Sequence, residues 1–251
     1  MEKYNEPGRF TAFIGYEWTS NGERGQNLHR NVIFRDGADK TRATPPLTTF
    51  ESTVPGRAGT DPESLWKWLA DWEAKTGGSA LAIPHNGNMS NGWMFRETRY
   101  DGSPMDADYA RQRARWEPLY EVYQYKGTGE QHPSLSTTDE FADFGIWDTA
   151  DLDGHAKKPG DTNFEYWREA NKTGMKLQAS LGENPFKYGA AAGTDTHTGL
   201  MTGGEESNFF GKFVANEPSP DRWCVHPVNP PGACLRQTSE DYTRARRCRV
   251  A

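Results

Sequence analysis

Residues 61 to 88, "DPESLWKWLADWEAKTGGSALAIPHNGN", constrain the fold more than any other stretch. Asp61 is a helix-capping residue, Pro62 suits the first helical position, and Glu63 adds negative charge to the first turn. Leu65, Trp68, Leu69 and Trp72 recur at steps of three and four, which gathers them on one helical face. Gly77 and Gly78 end the helix. "SALAIP" then reads as a short buried strand running into a polar Asn-Gly loop. A helix that delivers the chain straight into a buried strand is the pattern of an α/β protein.

The pattern recurs along the chain. "DADYARQRARWEP" reads as a helix stopped by Pro118, and "LYEVYQYKG" as the strand after it. "TNFEYWREANKTGMKLQASLGENP" reads as a helix capped by Thr162 or Asn163, followed by a strand in "KYGAAAGTDTH". Upstream, "RFTAFIGYEWTS" and "HRNVIFRD" read as strands joined by the Gly-Asn loop "NGERGQNL", which suits a hairpin-like return. The Pro/Thr-rich 41–60 and the long 128–161 show no periodicity.

Charge and hydropathy exclude some classes. A net charge of -6 gives no nucleic-acid footprint. No apolar run approaches the roughly 20 residues needed to span a bilayer, so no membrane partner is expected. The first ten residues carry no apolar signal core. A soluble cytoplasmic or periplasmic protein fits these features. All three cysteines, Cys224, Cys234 and Cys248, fall near the C-terminus, at spacings that fit no common zinc motif. Residues 216–251 also hold five arginines among the last sixteen positions and show no strand or helix period. They form a tail distinct from the domain over 1–215, with the texture of a loop-rich cap or an out-of-frame segment.

The polar residues of interest share one kind of address. Glu17 lies near the end of the first strand and His85 follows "LAIP" at the end of another. Asp195 and His197 end the last strand in "GTDTHTG", and residues two apart on a strand share a face. His29 begins the second strand. In α/β barrels, functional groups collect where strands run out into loops. Imidazole and carboxylate together are the usual ligands of Zn, Mn or Fe. Glu121, within "LYEVYQYKG", reads as an ion-pair partner for Lys126, and His132 and His155 read as solvated loop residues.

The phrases "GYEWTS", "NLHRNVIFRD", "IPHNGNMSNGWMF", "EPLYEVYQYKG" with "HPSLSTTDEF", and "GTDTHTG" carry a resemblance. In that order they resemble an uncharacterised bacterial branch of the PHP (polymerase and histidinol phosphatase) metallohydrolase superfamily, over about residues 5 to 215. The resemblance implies a distorted (β/α)7 barrel with two or three divalent ions at its rim. It makes Glu17 a bridging carboxylate, His29 and His85 imidazole ligands, and Asp195 and His197 the closing pair. The family pattern also has an early His-x-His, an Asp and a His ahead of the bridging glutamate. No residue before Glu17 supplies these, so the resemblance implies an incomplete barrel lacking its first strands.

The implied activity is hydrolysis of a small-molecule substrate, a phosphoester, with Glu17 and Asp195 catalytic. Arg30, Asn86, Asn88 and Lys126 are the candidate donors to substrate oxygens; each also reads as a loop cap or a solvated side chain. The alternative is a non-catalytic binding protein or an inactive remnant, because five of nine expected ligands are present.

Overall fold

Alternation along the first strand decides the layering. β1 (Ile14–Trp18) turns Tyr16 and Trp18 to one face and Gly15 and Glu17 to the other. Tyr16 meets Trp68 edge to face at 6.2 Å, so the first face is the one packed against helices. The computed structural model describes residues 2–193 apart from Tyr125, together with Asp195. His197 and residues 216–251 lie outside the described residues.

β1 pairs antiparallel with β2 (Arg30–Phe34), which pairs antiparallel with β3 (Ala80–Pro84). Trp18 stands opposite Arg30, and Arg30 opposite Pro84. In a second sheet, β4 (Leu119–Gln124) has the short β5 (Gly127–Thr128) antiparallel to it and β6 (Gly189–Ala192) parallel. One parallel bridge, His85 to Glu121, joins the two sheets. β1, β3, β4 and β6 therefore run in one direction and β2 runs against them. The expected hairpin-like return explains β2: a loop with no helix can only bring the chain back antiparallel. The architecture is mixed α/β, and the described strands do not close into a barrel.

The helices are α1 (Ala38–Thr41), α2 (Pro62–Thr76), α3 (Ala107–Trp116) and α4 (Trp167–Leu181). α2 forms as its sequence dictates. The Asp61 carboxylate accepts from the Glu63 N–H at 2.9 Å, and Gly77 closes the helix in the left-handed conformation at φ 62°. Leu65, Trp68, Leu69 and Trp72 are all buried, each burial stabilising the fold by about 1.5–3 kcal/mol. Phe34 of β2 packs against Trp72, ring centroids 4.8 Å apart and the rings tilted by 57°. α3 is capped by Asp106, which accepts from the Tyr109 N–H at 2.9 Å.

α4 begins later than its sequence suggests. Asp161–Phe164 form a 3-10 turn, and Tyr166 is extended before the helix starts at Trp167. Tertiary contacts impose the break. Tyr166 is fully buried, and the Trp167 N–H donates to the Gly129 carbonyl at 2.8 Å.

A buried polar network ties the layers together. Glu117, fully buried at the end of α3, accepts from Arg30 Nε at 3.0 Å and from Trp66 Nε1 at 2.9 Å. Tyr188 donates to its other oxygen at 3.3 Å, and Arg113 lies 3.3 Å away. Burial pushes the Glu117 carboxyl up, but the two guanidiniums outweigh it and hold it below the usual carboxylate range.

Candidate metal centre

Strand direction gathers the site. Glu17 lies near the end of β1 and His85 just beyond the end of β3. His29 immediately precedes β2, and because β2 is antiparallel its start lies at the same rim. Glu17 and His29 also share the face turned away from α2, since Glu17 pairs with Asn31 and His29 is two residues from Asn31.

The rim is braced from both sides. The Asn27 side chain accepts from the His29 N–H at 3.2 Å, and the Asn27 N–H donates to the Met89 carbonyl at 3.1 Å. Beyond His85, Asn86 adopts the left-handed conformation at φ 51°, which an asparagine tolerates and which turns the chain into the Gly87–Met89 turn.

Glu17, His29 and His85 bring one ligand atom each to within 4.8 Å of one another. His29 Nδ1 lies 2.9 Å and His85 Nε2 3.0 Å from Glu17 Oε1. The imidazole rings cross nearly perpendicular, centroids 5.7 Å apart. Both histidines are buried, whereas the Glu17 side chain is 37% exposed and opens the group to solvent. Burial pushes the Glu17 carboxyl up, but the hydrogen bonds to the two imidazoles outweigh it and hold Glu17 ionised, well below the usual carboxylate range. Burial pushes the His29 imidazole down, against the pull of Glu17 and with the help of His85 and Lys126.

The donor set fits a cation. His29 Nε2 lies 2.8 Å from Asn21 Oδ1, and with the amide so oriented it carries the ring proton. Nδ1 faces the Glu17 carboxylate: it donates to it when the ring is doubly protonated, and in the neutral ring with the proton on Nε2 it presents a lone pair there. Two lone pairs at 2.9 Å need a positive charge between them, a proton or a metal ion. His85 Nδ1 is buried without a hydrogen-bond partner.

Further carboxylates stand beside the group. Glu121 on β4 is the bridge partner of His85, and its Oε1 is buried without a hydrogen-bond partner. Burial raises the Glu121 carboxyl, and His85, Asp195, Lys126 and Glu17 all act on it electrostatically. Asp195 Oδ2 accepts from Lys126 Nζ. The expected pairing of Lys126 with Glu121 is thus replaced by an ion pair with Asp195.

A family model described as Protein of unknown function (DUF3604) matches residues 1–243. The chain belongs to that family. The match includes residues 216–243, the first part of the tail that composition sets apart. No curated protein and no solved structure matches this DUF3604 chain.

The candidate substrate donors separate by position. Lys126 is at the rim, buried, with its ammonium beside Asp195. Asn86 is at the rim too: its Oδ1 accepts from Gln124 at 2.7 Å, and its Nδ2 is buried without a partner. Asn88 is fully buried and donates to the Lys126 and Trp147 carbonyls at 3.1 and 2.7 Å, a loop-tying role. Arg30 lies on the opposite face of β2 from His29, sealed in the core against Glu117. Strand alternation carries the signal that separates it from the site, since neighbours in a strand face opposite ways.

His132 is not a solvated loop residue. Its Nε2 lies 2.8 Å from Asp148 and its Nδ1 2.7 Å from Ser134 Oγ, with the ring against Tyr166. His155 is more open but bonds Asp151 at 3.1 Å. Asn21 went unread in the sequence because its role depends on the ring it meets, eight residues on. Among the described residues, no helix is long and apolar enough to cross a membrane.

Proposed function

We propose that Glu17, His29 and His85 hold a divalent metal ion (Zn, Mn or Fe) and that the protein is a metal-dependent hydrolase acting on a small phosphoester. One observation carries the reading: two buried imidazoles converge on one carboxylate oxygen, His29 Nδ1 at 2.9 Å and His85 Nε2 at 3.0 Å from Glu17 Oε1, with Asn21 Oδ1 2.8 Å from the far nitrogen of His29. Metal-bound histidines use this arrangement, a ring N–H held by a neighbouring acceptor while the other nitrogen binds the ion. Charge balance supports it as well. Glu17, Glu121 and Asp195 stand at the rim with Lys126 beside them, and a divalent ion offsets the acidic excess. The resemblance to the PHP superfamily supplies the further expectations of a barrel and of a second or third ion bound with His197.

When bound, the ion supplies Lewis acidity and lowers the pKa of a coordinated water. The protein's own groups do the rest. Glu17, open to solvent at the rim, fixes the approach of the reacting groups. Lys126 presents its ammonium to a phosphoryl oxygen, and the free Asn86 Nδ2 donates to a second. Asp195 takes the proton of the attacking water.

The test is metal content with turnover. The purified chain, reconstituted separately with Zn, Mn and Fe, is expected to retain metal and to hydrolyse a generic aryl phosphate. His29→Ala and Glu17→Ala are expected to lose both. A wild-type protein that binds none of the three ions would sink the proposal.

A further inference from the structure

A second polar site lies on the helix-packed face, behind the proposed metal centre. A small pocket of about 20 Å³ lies between β2, the start of α2, α3 and the segment around Trp93–Tyr100. Four guanidiniums line it: Arg30, Arg96, Arg99 and Arg113. Three are compensated. Arg30 and Arg113 share Glu117, and Arg99 pairs with Glu63 and Asp106. Arg96 differs. Its guanidinium packs over the Trp93 ring at 4.1 Å, and among the described residues no carboxylate lies within ion-pair distance of it. Its Nη1 is buried with no acceptor. Thr98 Oγ1, two residues on and lining the same cavity, is also buried without a partner.

We propose that this cavity binds a single halide-sized anion, held by Arg96 Nη1 and Thr98 Oγ1. The volume suits one water-sized species. The chemistry of the lining selects the charge. The lining side chains include four guanidiniums, a threonine and two tyrosines but no carboxylate, so positive charge dominates the lining and favours an anion over a neutral water. An anion needs donors only, and both unpartnered groups are donors. The site would also lock the Trp93–Tyr100 segment to α2 and α3, since Arg99, Thr98 and Arg96 all come from that segment.

The test uses the full chain. Thermal unfolding is followed in sodium chloride, bromide and gluconate at constant ionic strength, and bromide-soaked crystals are read by anomalous scattering. The expected result is a saturable rise in Tm with chloride and bromide but not gluconate. An anomalous peak is expected within hydrogen-bond distance of Arg96 Nη1 and Thr98 Oγ1. Arg96→Gln is expected to weaken halide binding by about tenfold or more, the loss of one charge-assisted hydrogen bond. Thr98→Val, which keeps the charge and the shape, is expected to weaken it less, and it serves as the readout if Arg96→Gln does not fold. A cavity without bromide density, or a Tm indifferent to the choice of anion, would overturn the proposal.

Discussion

Glu17 and His29 lie twelve residues apart in the chain and 2.9 Å apart in space, across the first antiparallel turn of the sheet. The short loop between them makes this contact local, so one hairpin supplies two of the three residues of the group. His85 completes it from 68 residues away, reaching the same Oε1 at 3.0 Å. The group is thus two nearby ligands on a hairpin and one brought in by the third strand.

Asn21 Oδ1 lies 2.8 Å from His29 Nε2, so under the proposed function it should tune metal affinity through His29 without binding the ion itself. Asn21→Ala removes the acceptor that fixes the proton on Nε2, and loss of such an outer partner weakens metal binding by about 10- to 100-fold. Asn21→Asp should restore or tighten binding, because a carboxylate accepts the same proton. Metal titrations of the two variants under competing chelator check this. Equal affinities for wild type and Asn21→Ala would remove Asn21 from the site.

Glu117 is a fully buried charge with two guanidiniums, an indole and a phenol around it. Glu117→Ala leaves Arg30 and Arg113 buried without their shared counter-charge, and such a break costs about 3–5 kcal/mol. Trp66→Phe loses one hydrogen bond to a charged acceptor, at about 1.5–3 kcal/mol, together with part of the indole's packing. Urea unfolding of both variants measures the order. A Glu117→Ala protein as stable as wild type would mean that the network contributes nothing net.

Gly87 belongs to the turn that follows His85. Its N–H donates to Tyr120 Oη at 2.9 Å, and a Cβ there would overlap the Glu165 carbonyl and sit 2.7 Å from the same Oη. Gly87→Ala should therefore destabilise the fold by about 1–3 kcal/mol, the usual range for overpacking. It should also displace His85 and weaken metal binding. Denaturation and metal titration on the same sample test both effects. An unchanged midpoint together with unchanged metal affinity would show that the turn yields freely.

The sequence made local features plain and left distant ones hidden. The α2 cap at Asp61, its apolar stripe and its stop at Gly77 are all set within seventeen residues, and all stand as read. The candidate metal group was visible because Glu17, His29 and His85 each sit beside a strand that their own neighbours define. Arg30 was misread as a substrate donor because its partner, Glu117, lies 87 residues on. Asn88 follows the loop-cap alternative, and its partners, 38 and 59 residues away, could not be named from the sequence. The late start of α4 at Trp167 follows from the burial of Tyr166 and the bond to Gly129, contacts that helix propensity does not contain.

Asp61 should give stability a pH dependence with a defined sign. Its carboxyl is fully buried, with one oxygen accepting from the Glu63 N–H and the other without a hydrogen-bond partner. Burial pushes its pKa up to about 6. The Glu63 amide and Arg57 resist, and the charges of Glu63 and Asp101 assist. The unfolded carboxyl titrates near 3.8, so between the two values the folded state holds a proton that the unfolded state has lost. This contribution is fully present below about pH 4, falls as pH rises toward 6, and is level above, a loss of up to about 3 kcal/mol. Asparagine caps a helix as well as aspartate and does not titrate. The stability of Asp61→Asn relative to wild type should therefore climb between pH 4 and pH 6.5, as read from urea unfolding at several pH values. A stability difference that stays flat across that window would place the Asp61 pKa at its ordinary value.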